Sequence, residues 1–156
     1  MKPLDLLDTA KILLASNRSK PTMVSCRRAV SACYYALFHC LARECADLLI
    51  GSAGSDRSDK AWTQAYRSLD HAYAKSQCEK AGRAGFPAGI VNFAATFQTM
   101  QIKRHDADYD PDARFVKSAV QSDIVLVEAA IRAFLSAPRK DRRAFCAWVI
   151  LRNRRA

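Results

Sequence analysis

One helical pattern runs from about Thr22 to Ile50, with Gly51 placed as its C-terminal stop. At 1.5 Å per residue it is about 43 Å long, the full height of a small domain. A chain of 156 residues holding one such helix has to wrap its other elements around it.

The flanking segments repeat the same period. Pro3 to about Ser16 carries Leu6, Leu7, Ala10, Leu13 and Leu14 at helical spacing, with Pro3 suited to a helix start. A third pattern begins at Ser58, a plausible N-cap, and places Trp62, Ala65, Tyr66, Leu69, Tyr73 and Ser76 on one stripe. Gly82 to Pro87 reads as a loop. A fourth helix, about Ala88 to Lys103, gathers Ile90, Phe93, Ala94 and Phe97 on one side. Asp106 to Asp112 contains Asp-Pro and reads as a turn. A fifth helix, about Asp112 to Ser136, turns Phe115, Ala119, Val127, Ile131 and Phe134 inward. No alternating strand pattern occurs. The predicted architecture is all-α: an up-and-down bundle of about five helices over residues 1–138, followed by a basic C-terminal extension over 139–156.

Composition agrees and narrows the class. Half the residues are apolar and 26% charged, the balance of a folded domain. A chain this long buries roughly two-thirds of its surface and needs no disulfide or metal for a core. Acidic residues interrupt the apolar N-terminus, so it does not read as a signal peptide. The longest near-continuous apolar run, Ala144 to Leu151, is far short of the roughly 20 residues that span a bilayer. A cytoplasmic location is expected. Six cysteines, Cys26, Cys33, Cys40, Cys45, Cys78 and Cys146, form no C-x-x-C pair. They read as small buried residues in a reducing compartment, without the ligand spacing of a zinc site.

The net charge of +10 points to an acidic partner, nucleic acid or an anionic membrane surface. Residues 139–156 carry a local +6 from Arg139, Lys140, Arg142, Arg143, Arg152, Arg154 and Arg155 against Asp141. Three readings stand for this tail: phosphate contact, an interfacial amphipathic helix, or docking of Phe145, Trp148 and Leu151 on the bundle with the arginines solvated.

There is no P-loop, G-x-G-x-x-G, H-E-x-x-H or nucleophile elbow, and no cofactor is expected. Three histidines remain. At helical spacing Arg28, Ser31, Tyr35 and His39 share a face. They form either a hydrogen-bonded structural cluster or part of a phosphate-handling or catalytic surface. Arg67 and His71, four apart, share a face of the third pattern, either as an exposed polar surface or as part of the site. His105 sits in Lys103-Arg-His-Asp-Ala-Asp-Tyr-Asp-Pro111, a dense run of ionisable groups at a helix junction. Arg104 there offers a fork for phosphate. His105, Asp108 and Tyr109 offer proton-handling or orienting groups.

The segment Ser31-x-x-Tyr34-Tyr35-Ala36-x-Phe38-His39, followed by Arg104-x-x-Ala107-Asp108-Tyr109, resembles the HEPN superfamily, in its bacterial branch with Y-Y-A-x-F-H and R-x-x-A-D-Y signatures. The resemblance covers about residues 3–137 in order and topology. It implies a four- to five-helix bundle that often dimerises. In active members an R-x(4–6)-H motif from each subunit meets across a cleft and cleaves RNA without metal, leaving a cyclic phosphate. Many members are toxins or phage-defence effectors, and some pair with nucleotidyltransferase or antitoxin partners.

This chain departs from that motif, because the positions where the histidine would stand hold Tyr109, Asp110 and Pro111. Either His39 or His71 supplies the imidazole from another helix, or the domain is a non-catalytic relative binding RNA, a nucleotide or a protein. For the active reading the candidate set is Arg104 as phosphate clamp and His39 or His71 as acid–base group. Asp108 would orient a base, and Tyr109 would bond phosphate or stack. Arg28, Tyr35, Arg67, His105, Arg142 and Arg143 are candidate contacts to RNA, tRNA included.

Overall fold

The computed structural model describes residues 1–16 and 20–154; Arg155 of the basic tail lies outside them. All regular structure among the described residues is helical. The helices are α1 (Pro3–Ala15), α2 (Met23–Leu49), α3 (Asp59–Arg67), α4 (His71–Glu79), α5 (Ala88–Tyr109), α6 (Lys117–Ser136) and α7 (Arg139–Ile150).

The long helix α2 is the axis, packed against α1, α3, α5, α6 and α7. Thr22 caps its start by accepting the Ser25 amide at 3.1 Å. From there Cys26, Val30, Cys33, Leu37, Cys40 and Leu41 enter the core. All six cysteines are free and buried, and burial pushes the Cys33 and Cys78 thiols up to about 12. They pack as small apolar groups rather than acting as nucleophiles. Helix α2 stops at Gly51, whose φ of 144° is one that a side chain rarely adopts. Helices α5 and α6 cross closely at Gly89, where a Cβ would stand 2.9 Å from the Ala133 carbonyl oxygen. Phe93 and Phe134 stack beside that crossing at 4.4 Å.

Among the described residues the bundle has seven helices rather than about five, and three boundaries differ from expectation. The stripe starting at Ser58 is two helices, not one. Ser58 does cap α3, accepting the Ala61 amide. Asp70 then accepts the Tyr73 amide at 2.7 Å and starts α4 afresh. Arg67 therefore ends one helix and His71 begins the next, so the two do not share a helical face.

Second, α5 runs on to Tyr109. The charged run expected as a turn from Asp106 is its last turn, and the helix ends only at Asp110, before Pro111, where the proline ring excludes helical backbone. Third, α6 starts at Lys117 rather than near Asp112, and Ala119, expected inward, is exposed. The intervening carbonyls are taken by Arg27. Its guanidinium donates to the backbone oxygens of Asp106, Ala107, Asp110, Pro111 and Ala113 at 2.7–3.4 Å.

The last segment is part of the core. Phe145, Cys146 and Val149 of α7 are buried, and α7 packs on α2 and α4. Trp148 and Gln77 exchange hydrogen bonds with each other's backbone carbonyls at 3.0 and 2.9 Å. Arg142 donates to Glu44 of α2 at 2.7 Å and to the Ala137 carbonyl. Of the docking trio, Phe145 is fully buried, Trp148 half-buried and Leu151 exposed. No helix among the described residues is long and apolar enough to cross a membrane.

Candidate functional site

The extension of α5 is what builds the site, because it carries Arg104 and Asp108 as helical neighbours facing α2. Arg104 Nη1 lies 3.6 Å from Asp108 Oδ2, and Asp108 Oδ1 accepts the Ser31 hydroxyl at 2.6 Å. The carboxylate thus ties α5 to α2 and holds the arginine in place. The guanidinium carbon stands 5.1 Å from the Tyr34 ring centroid and 6.0 Å from that of Tyr35, within the range of cation–π attraction. The Arg104 side chain is 13% exposed. Its Nε is buried without a hydrogen-bond partner, as is Gln101 Oε1 one turn earlier.

From Arg104 the contacts lead to two imidazoles. The Tyr34 hydroxyl meets His71 Nδ1 at 2.5 Å. Phe38 stacks on the His71 ring at 4.1 Å, and the Gln101 amide donates to the His71 carbonyl at 3.0 Å. His39 Nδ1 meets the Tyr66 hydroxyl at 2.5 Å. Tyr35 lies between the two branches, its centroid 6.1 Å from His39 and 6.3 Å from His71. Neither His39 Nε2 nor His71 Nε2 has a hydrogen-bond partner among the described residues, and neither is a buried orphan atom.

The electrostatics favour neutral rings. Burial lowers the His71 pKa below its ordinary 6.5, and the positive charge of Arg104 adds to that against the opposing pull of Asp70. Burial lowers His39 as well. Burial pushes the Tyr34 phenol far above its usual range, so it keeps its proton. Two uncharged imidazoles, a protonated phenol and one fixed cation therefore share a face.

The structure brings together Arg104, Asp108, His39, His71 and Tyr35 from the expected set. His105 joins Arg104, Gln101 and Lys75 in lining a cavity of about 300 Å³ between α4 and α5. Tyr109 is 68% exposed and contacts the His105 ring at 5.0 Å. Arg28, Arg67 and Arg143 are exposed on α2, α3 and α7. Arg142 is committed to Glu44 and the Ala137 carbonyl. Among the described residues no group of three or more His, Cys, Asp or Glu is placed to hold a metal ion.

Sequence reasoning missed Tyr34, Phe38, Tyr66 and Gln101 as site residues. The first two stand inside the motif that carried the resemblance, so that signal was available. Tyr66 and Gln101 look like ordinary helix positions, and only the packing of α3 and α5 on α2 reveals them. No protein-family model, curated protein or solved structure matches this chain.

Proposed function

We propose that this chain is a HEPN-type helical domain that cleaves RNA without a metal, as the effector of a toxin–antitoxin or phage-defence system, and works as a homodimer in the cytoplasm. The observation that carries the reading is the path from Arg104 across the Tyr34 ring to His71, with His39 beside it. It brings histidines to Arg104 in space where the linear motif holds Tyr109, Asp110 and Pro111.

Metal-independent cleavage needs a base for the 2′-hydroxyl proton, an acid for the leaving 5′-oxygen, and a cation for the charge of the phosphorane. Arg104 is the cation, with Lys75 beside it in the same cavity. The roles of the histidines follow from their tautomers. Tyr34 is fully buried and has His71 Nδ1 as its acceptor, so it donates there. The neutral His71 ring then carries its proton on Nε2 and donates a hydrogen bond to a phosphate oxygen. Tyr66 is only half-buried and can donate to water while accepting from His39 Nδ1. His39 Nε2 is then unprotonated and serves as the base. The imidazolium so formed then gives that proton to the leaving 5′-oxygen as the acid. Asp108 acts through Arg104 as a positioning residue.

The test is cleavage of total RNA and purified tRNA in EDTA by the parent chain, Arg104→Ala and His39→Ala, each checked by thermal melting. Cutting that persists in EDTA and falls at least a hundredfold in both folded variants is the expected result. Folded variants that cut as well as the parent overturn the assignment. Salt-sensitive RNA binding without cutting favours the alternative, a non-catalytic RNA-binding module.

A further inference from the structure

Helices α3 and α4 are each 9 residues long, below the length at which a helix is stable in water by itself. Each depends on what it packs against, and there the two differ. Helix α4 buries Ala74, Gln77 and Cys78 and packs on α5 and α7. Gln77 bonds the Trp148 carbonyl, and Gln101 bonds that of His71. Helix α3 buries no residue, and α2 is the helix it packs on. A cavity of about 570 Å³ runs along its Trp62 and Tyr66 edge. Another of about 460 Å³ separates Ala61, Gln64 and Ala65 from Ile150 and Leu151 at the end of α7.

The polar ties of α3 are few. Trp62 Nε1 donates to Asp47 Oδ1 at 2.8 Å, and the Tyr66 hydroxyl meets His39 Nδ1 at 2.5 Å. Arg57, just ahead of the helix, lies 3.6 Å from Asp47. Few buried contacts and few ties mark the part of a fold that opens before the rest. The connections on either side suit a hinge. Gly51 and Gly54 have φ of 144° and 82°, where glycine is favoured. Leu69 is only 5% exposed and pins the chain between α3 and α4.

What α3 covers is the imidazole of His39. Tyr35 and Phe38 flank that ring from α2 itself, at 6.1 and 5.7 Å between centroids, and stay with it whatever α3 does. Tyr66 stacks on it at 5.9 Å and 25° and comes from α3, so it is the cover that moves. We infer that α3 is a lid over His39. It opens as a unit between Gly54 and Leu69, lifts Tyr66 off the imidazole to admit the reacting strand, and closes to restore the bond to Nδ1. The inference rests on the RNA reading above for what enters, while the opening is a property of the fold. Chemistry belongs to the closed state, because the bond to Tyr66 keeps the His39 proton on Nδ1 and leaves Nε2 free.

Native-state hydrogen exchange measures the opening, and a reversible tether tests its use. Amides 63–68 should exchange as one group, at least about tenfold faster than the hydrogen-bonded amides of α4. Trp62→Leu removes one tie and should speed that group by about fivefold, with α4 unchanged. Equal exchange in α3 and α4 overturns the lid. For the tether, Gln64→Cys and Leu151→Cys are combined, two exposed positions on the same cavity. They are joined by a disulfide-containing bismaleimide. The native thiols are buried, and the parent treated alike is the control. Linked protein that still melts cooperatively should show amides 63–68 slowed to the rate of α4. It should also cut RNA in EDTA at least about tenfold slower than the unlinked double variant, and reductant should restore both. Linked protein that cuts at the unlinked rate overturns the lid and leaves the RNA reading standing. If the parent cuts no RNA, the RNA reading falls, and exchange in amides 63–68 alone decides the lid.

Discussion

The Tyr34 hydroxyl and His71 Nδ1 stand 2.5 Å apart, joining α2 to the first residue of α4 at a point where Arg104 overlies the tyrosine ring. With no other acceptor for the buried phenol among the described residues, a Tyr34 hydroxyl that donates to Nδ1 places the imidazole proton on Nε2. Tyr34→Phe keeps the ring under Arg104 and removes only the donor. It is expected to cost about 1–3 kcal/mol, the penalty of a half-buried nitrogen left unpaired, and to lower RNA cleavage by more than this stability loss explains. Urea unfolding gives the first quantity. Nitrogen-15 shifts of the His71 ring check the tautomer, with the parent showing its proton on Nε2.

The depressed histidines make stability depend on pH with a definite sign. His39 and His71 have folded-state pKa values below the ordinary 6.5, so the unfolded chain binds protons that the folded chain refuses. Stability from these groups is complete above about pH 6.5 and is lost as pH falls toward the folded values. For His71 the opposing groups are Arg104 and His39, which lower its pKa, and Asp70, which raises it. Melting temperatures should fall on acidification from neutrality. His71→Gln, which cannot titrate, should show a flatter profile over the same range. An unchanged slope in a folded His71→Gln would falsify the claim that this ring is held neutral.

Arg27 lies outside the candidate chemistry, yet it gathers five carbonyl oxygens between Asp106 and Ala113. It closes the end of α5 and so fixes the turn that carries Arg104 and Asp108. Hydrogen bonds to a charged donor are worth roughly 1.5–3 kcal/mol each, and they share one desolvation cost here. Arg27→Ala is expected to lose about 2–4 kcal/mol overall. Hydrogen exchange should accelerate first in residues 106–116, ahead of the core of α2.

Part of this arrangement is legible in the residues, and the limits have physical causes. Helix α2 is readable because its apolar positions keep one period from Cys26 to Cys45 and a glycine ends it. The α3–α4 break is not, because Leu69 stays in phase with Trp62 and Tyr66 while Asp70 competes for the backbone as a cap. The charged end of α5 reads as a turn, although Arg104 and Asp108 at helical spacing support one another inside a helix. The pairing of Arg104 with Asp108 could be read from their spacing. The bond from Tyr34 to His71 could not, since it spans 37 positions and depends on how α4 packs.

The C-terminal segment offers a contrast between two of its own residues. Phe145 is fully buried, set edge-on to Phe86 at 5.3 Å and to Phe134 at 5.8 Å. Arg143, two positions earlier, is exposed. Phe145→Ala leaves a ring-sized cavity where α7 meets the core and is expected to cost about 3–5 kcal/mol. Arg143→Ala should stay within about 0.5 kcal/mol of the parent. If Arg143 also contacts RNA, its loss appears as a shallower salt dependence of binding with stability unchanged. Chemical denaturation of both variants, beside RNA titration of Arg143→Ala at several salt concentrations, separates a helix that completes the core from a basic surface that meets phosphate. Equal stability of Phe145→Ala and the parent would show that α7 is not part of the cooperative fold.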